Sequence, residues 1–335
     1  MTSRERVNAI LAGEKADRCG FWLGMPHPDT WPIYLKHYNT TDEEVVRQAL
    51  GDDIRWICAE WQSYKHPEGK LLWNTTRVGI TGVGPVFAEC EDVNEVEDWD
   101  WPNPDYLDFT AIVERLRSAG DVYRASGMWT CFFHIACDMF GMENYFIKMH
   151  TDPDVVHAVT RHICEFYLEA NERCFEAAGK EIDAFFFGND LGTQLDLLVS
   201  PPQLEEFVMP WTRRFAEQGH AHGYQVMHHC CGAIHKIIPA FIDAGIDALH
   251  PLQAKAANMD AETLARDFKG KIAFLGGIDT QDLLVHGTPG GVRADVRRVK
   301  SLLGPSLVVS PSHEALLPNV PIENVIAMAE EAQRF

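Results

Sequence analysis

The sequence predicts an α/β fold, a single-domain (β/α)8 TIM barrel over residues 1–335, and three observations carry that expectation. One grammar repeats along the chain: a short β-rich run, a polar or Gly-containing turn, then a helical segment. Runs such as Ala184-Phe185-Phe186-Phe187 and Ile272-Ala273-Phe274-Leu275 are apolar on both faces, as strands of a fully covered parallel sheet must be. These units number eight, which favours a closed barrel over an open doubly wound sheet.

In chain order, Thr2 and Glu5 form a capping-box pattern ahead of an amphipathic helix through Leu11. Strands are expected at Gly20–Met25 and Ile54–Glu60, followed by an excursion from Trp61 to Pro104 that a minimal barrel does not need. The third strand is expected at Ala125–Phe133, a helical pair between Asp138 and Lys180, and the fourth strand at Ala184–Asn189. Helix Pro202–Gly219, strand Gln225–Cys231, helix Ala233–Ala244 and strand Ala248–Leu252 continue the alternation. Helix Ala261–Phe268, strand Ile272–Ile278, helix Val292–Leu303 and strand Leu307–Ser312 come next, and a last helix follows Pro321, a good first-turn residue.

Composition narrows the function. A formal charge of −20, with only small Lys/Arg clusters such as Arg297, Arg298 and Lys300, leaves no basic track for a phosphate backbone, so no nucleic-acid partner is expected. No apolar run approaches the roughly 20 residues of a membrane span and no secretory pattern opens the chain, which points to a soluble cytoplasmic protein without membrane association. The nine cysteines show no disulfide spacing and read mostly as small buried hydrophobes. The acidic stretch Glu89 to Asp100 reads as a solvated surface segment or as a dock for a basic partner.

In a barrel, chemistry belongs at the carboxyl ends of the strands. The polar residues there are Glu60, His134, Asp190, His229, Cys231, Gln253, Asp279 and His313. His229 and Cys231 end the run Tyr224-Gln225-Val226-Met227-His228-His229-Cys230-Cys231-Gly232 and point the same way, about 6.5 Å apart along the strand. Imidazole and thiolate are preferred zinc ligands, and a catalytic zinc takes three protein ligands and keeps one position open. A helix opening near Ala233 would favour the Cys231 thiolate. The competing reading makes both residues buried hydrogen-bonding packers.

His228 and Cys230 face the other way and read as packing residues, while His235, a rival ligand, reads as turned away on the next helix. His313 ends the last strand, where it either completes the metal site across the mouth or faces the substrate as a proton donor. Asp190, Asp279 and Glu60 are the candidate catalytic carboxylates, with helix capping the competing role for the two aspartates. Trp22, His134 and Gln253 are the candidate substrate contacts, and Trp22, Trp56, Trp61, Trp129 and Phe133 would wall a small apolar or aromatic substrate.

The ordered set Met227-His228-His229-Cys230-Cys231-Gly232, Gly276-Gly277-Ile278-Asp279 and Ser310-Pro311-Ser312-His313 followed by Pro321-Ile322-Glu323-Asn324 resembles the uroporphyrinogen decarboxylase-like superfamily. Arg4 to Arg18 and Leu198 to Pro210 extend the resemblance over nearly the whole chain. Within it the sequence looks more like the zinc-dependent corrinoid-linked methyltransferases than the true decarboxylases. The resemblance implies a (β/α)8 barrel and zinc on His229 and Cys231. The methyltransferases typically take a third ligand, Cys, near the last strand, where this chain carries His313; decarboxylases have a substrate-binding histidine at about that place. True decarboxylases also have an arginine-rich first-strand loop for a polycarboxylate, whereas Met25 to Thr30 holds no arginine.

The expectation is therefore zinc-dependent transfer of a methyl group between a small methyl donor or thiol and a corrinoid. The chain lacks the Asp-x-His-x-x-Gly run that resembles a corrinoid-binding motif, so a separate corrinoid protein would carry that cofactor. A homodimer is compatible with the sequence. The alternatives are a metal-free decarboxylase or lyase of a smaller acid using Asp190 and His313, and a non-catalytic accessory protein of a methyl-transfer system.

Overall fold

The computed structural model describes residues 1–59, 61–73 and 85–334. Its sheet contains β1 (Gly20–Phe21), β2 (Ile54–Trp56), β3 (Tyr123–Ser126), β4 (Ala184–Gly188), β5 (Gln225–His229), β6 (Ala248–His250), β7 (Ala273–Ile278) and β8 (Leu307–Pro311). All pair in parallel in the order β1-β8-β7-β6-β5-β4-β3-β2. At the remaining seam the Asp53 N–H donates to the Phe21 carbonyl at 2.8 Å, and the Asp53 carboxylate accepts the Phe21 N–H at 3.0 Å. With helices between the strands, the result is a single (β/α)8 TIM barrel.

Strand alternation divides the apolar residues into two cores. Ile54, Tyr123, Ala125, Ala184, Phe186, Met227, Ala248, Ala273, Leu275 and Val308 fill the interior, and Phe185, Phe187, Val226, Leu249 and Phe274 face the helical layer. Helix Ser3–Leu11 closes the amino end of the barrel by adding Val7, Ile10 and Leu11 to the interior cluster, and the Thr2–Glu5 capping box starts it as expected. Asp53 is fully buried beside that plug, where Arg6 and Arg18 each approach to 2.8 Å and compensate its charge.

Local backbone chemistry moves several boundaries. The third strand lies earlier than the Ala125–Phe133 expectation because Gly127 and Thr130 take positive φ, +104° and +34°, and end it. Phe132–Phe140 is then a helix, so His134 sits on a helix rather than a strand end. The pair expected between Asp138 and Lys180 is realised as Met142–Thr151 and Pro153–Ala178. The helix expected at Pro202–Gly219 is two, Pro201–Phe207 and Met209–Ala221, because Pro210 lacks the N–H an uninterrupted helix needs. Among the described residues no helix is long and apolar enough to cross a membrane.

Candidate metal centre at the barrel mouth

The alternation of β5 continues past its last ladder residue, so Met227 lies in the interior while His229 and Cys231 rise to the rim on the same side. His229 Nε2 lies 3.3 Å from Cys231 Sγ and 3.2 Å from Asp190 Oδ1. Two glycines make this crowding feasible. A Cβ on Gly188, the ladder partner of His229, would lie 2.4 Å from the His229 carbonyl oxygen. Gly232, at φ +92°, turns the chain beside Gly192, whose carbonyl carbon and oxygen would lie 2.4 Å from any Cβ there.

The three donor atoms lie within 4.8 Å of one another. Tetrahedral zinc with bonds of about 2.0 Å to N or O and 2.3 Å to S separates N from O by about 3.3 Å and N from S by about 3.5 Å. The observed separations match those edges, so Asp190, His229 and Cys231 fit a divalent ion at Nε2. Electrostatics agree. Burial opposes charge on His229, but Cys231, Glu314 and Asp190 together raise its pKa well above the usual imidazole value. Burial also opposes ionisation of Asp190, yet its hydrogen bond and charge interaction with His229 hold it well below the usual carboxylate range. The pocket is thus built to stabilise positive charge at Nε2, whether a proton or a metal ion.

Cys231 differs from expectation. No helix opens at Ala233; a 3-10 turn starts at His235 and a helix only at Ile238, so burial dominates and pushes the thiol above its ordinary pKa. A bound cation would supply the stabilisation the helix does not. His235 is turned away toward Asp267 at 2.8 Å. His228 and Cys230 face outward, with His228 packed between Phe187 and Phe241.

His313 stands outside both donor groups found among the described residues, Asp190 with His229 and Cys231, and His229 with His250 and Glu314. Its Nδ1 accepts the Ala315 N–H at 3.1 Å and lies 3.7 Å from Glu314 Oε2, while its ring lines a cavity of about 610 Å³ with Gln253, Lys255, Thr280 and Ser312. Asp190 occupies the place in the cluster that the sequence reading gave to His313. Gln253 ties this cavity to the cluster, because its Oε1 accepts the Gly232 N–H at 3.0 Å. His134 Nε2 accepts the Asp190 N–H at 3.3 Å. Asp279 lies outside the donor groups and accepts the Gln281 and Leu283 N–H groups, the capping role. Trp22 is fully buried and floors the site against His250 and Phe186; Trp56 and Trp129 pack beside it. Glu60 lies outside the described residues.

Two neighbours of His229 escaped the sequence reading. His250 Nδ1 lies 2.9 Å from His229 Nδ1, and Glu314 Oε2 lies 3.7 Å from the same nitrogen. His250 ends β6 opposite His229 in the ladder, so its strand-end position was the available signal. Glu314 directly follows His313.

The uroporphyrinogen decarboxylase family model matches residues 78–335. The chain belongs to this family. Its candidate donor cluster, cavity and aromatic floor lie within that matched span, apart from Trp22 and Trp56. The solved structure of a methyltransferase from Methanosarcina mazei superposes with a TM-score of 0.67 over 99% of this chain and 98% of that one, at 16% identity. That likeness is one of fold. No curated protein matches this family member in sequence.

Proposed function

We propose that this chain is a zinc-dependent methyltransferase that moves a methyl group between a small methyl donor or thiol and a corrinoid carried by a partner protein. The observation that carries the proposal is the Asp190–His229–Cys231 cluster, which pairs a thiol with an imidazole at zinc-edge distances on the barrel rim. The fold likeness to a methyltransferase agrees with it. His229, Cys231 and Asp190 would hold the ion, which supplies Lewis acidity that keeps a thiol ionised or polarises a methyl donor.

The chain's own residues do the rest. Trp22, Trp56, Trp129 and Phe186 exclude water beneath the cluster and strengthen its electrostatics. His313, with Nδ1 occupied by the Ala315 N–H, carries its proton on Nε2 and serves as proton donor or acceptor for a substrate in the cavity. Gln253, fixed by Gly232, offers its amide to the same substrate. The free cysteines of the described chain fit a reducing, cytoplasmic setting.

A decarboxylase reading draws on the close Asp190–His229 pair, which could move a proton without metal. Against a polycarboxylate substrate, Lys255 is the only lysine or arginine among the described residues lining the cavity, and Asp279 stands 3.5 Å from it. The test is elemental analysis of untagged protein, followed by methyl transfer to a methyl-free corrinoid protein before and after chelation. About one zinc per chain and loss of transfer on chelation support the proposal; turnover of a carboxylic acid that survives chelation replaces it.

A further inference from the structure

We propose that His250 is a positioning residue that fixes the tautomer of His229, so that the Nε2 lone pair faces Cys231 and Asp190. The inference rests on the proposed metal site and concerns the opposite edge of the same ring. Two imidazole nitrogens 2.9 Å apart share one hydrogen, so one of His229 and His250 donates through Nδ1 and the other accepts. If His229 is to present a lone pair at Nε2, its proton must lie on Nδ1, and His250 Nδ1 must accept it. Glu314 Oε2, at 3.7 Å, is beyond hydrogen-bond range of the His229 Nδ1.

Of the two His250 ring nitrogens, only Nδ1 has a hydrogen-bond partner among the described residues; Nε2 is buried without one. His250 is 1% exposed, and its backbone carbonyl accepts the Cys230 N–H at 2.8 Å, inside the segment that carries both ligands. Its ring is wedged edge-on between Trp22 and Phe186, with centroids 5.2 and 5.4 Å away. Neither neighbour competes as an acceptor for the His229 proton. The ladder places the two histidines side by side, so the strands that deliver His229 to the rim also deliver its partner. A histidine whose second nitrogen is held in this way is a better-ordered and more basic ligand.

The test reads tautomers directly, by long-range proton–nitrogen NMR on histidine-labelled protein, metal-free and after adding zinc. His250 is expected as the Nε2–H tautomer with Nδ1 as acceptor in both states, and His229 as an Nδ1–H ring bound through Nε2 once zinc is present. Zinc affinity, measured by competition with a chromophoric chelator, is expected to fall about 10- to 100-fold in His250→Phe and to recover in His250→Asn, which restores an acceptor near the Nδ1 position. An Nδ1–H tautomer for His250, coordination of zinc by His250, or parental affinity in a folded His250→Phe overturns the proposal. If the Phe variant does not fold, the spectra of the unsubstituted protein decide. If the protein binds no zinc, the metal-site reading fails, and the metal-free spectrum still accepts or rejects the His229-to-His250 bond.

Discussion

Replacing Gly188 by Ala adds one methyl group at a tight point behind the candidate donor cluster. Its Cβ would lie 2.4 Å from the His229 carbonyl oxygen and 2.5 Å from the His229 Cβ. Comfortable carbon contacts begin at about 3.5 Å, so β4 and β5 must part by about 1 Å at the Gly188–His229 pair. The Asn189 N–H to His229 carbonyl bond, 3.0 Å long, stretches with them. Overpacking of this kind costs about 1–3 kcal/mol of stability. The larger effect is on the site, because His229 meets Cys231 and Asp190 at 3.3 and 3.2 Å and a shift of 1 Å removes it from the common ligand position. Zinc affinity should fall by about 10- to 100-fold, and turnover by about 100-fold. Chelator competition and thermal unfolding measure the two effects, with Gly290→Ala as the control, since a Cβ there meets nothing closer than Thr288 Oγ1 at 3.9 Å. A Gly188→Ala protein that melts and binds zinc like the parent would refute the close-approach argument.

Asp190→Ala and Cys231→Ser should each lose bound zinc in elemental analysis with the fold intact by circular dichroism, whereas His313→Gln should keep its zinc and lose about 100-fold or more in turnover. Zinc lost from His313→Gln would restore His313 to the ligand set. In the metal-free protein, burial pushes His228 down to about 3, so the unfolded chain takes up the proton first. Its contribution to stability is complete above the unfolded value of about 6.5 and shrinks as pH falls toward 3, a loss of about 2 kcal/mol between pH 7 and pH 5. His228→Phe, packed between Phe187 and Phe241, should show that much less acid destabilisation in urea unfolding; equal loss in both proteins would disprove it. Asp53→Ala leaves Arg6 and Arg18 facing each other without their shared anion and should cost about 3–5 kcal/mol in the same assay.

Some of this was readable in the chain because period-2 alternation is a local rule. It separated His229 and Cys231 from His228 and Cys230, and the structure places the two pairs on opposite faces of β5. It also gave the eight parallel strands, because Phe185 to Phe187 must be covered on both sides. Boundaries set by single residues were harder to read. Thr130 adopts a positive φ that no local pattern announces, and the apolar run through Phe133 reads equally as strand or helix. Which donor completes the cluster depends on register between strands. Asp190 reaches His229 because β4 and β5 pair Gly188 with His229, and His250 does so through the ladder to β6, relations that no stretch of sequence states by itself.

Helix Ser3–Leu11 has a consequence beyond packing. By stoppering the amino end with Val7, Ile10 and Leu11, it leaves the carboxyl face as the approach to His229. Under the proposed methyl transfer, two reactants that both need that cluster would have to use one doorway, and a protein-borne cofactor seated there would block the small molecule's way in and out. On that proposal arrival and departure would be ordered events, and the stopper at one end would dictate the queue at the other.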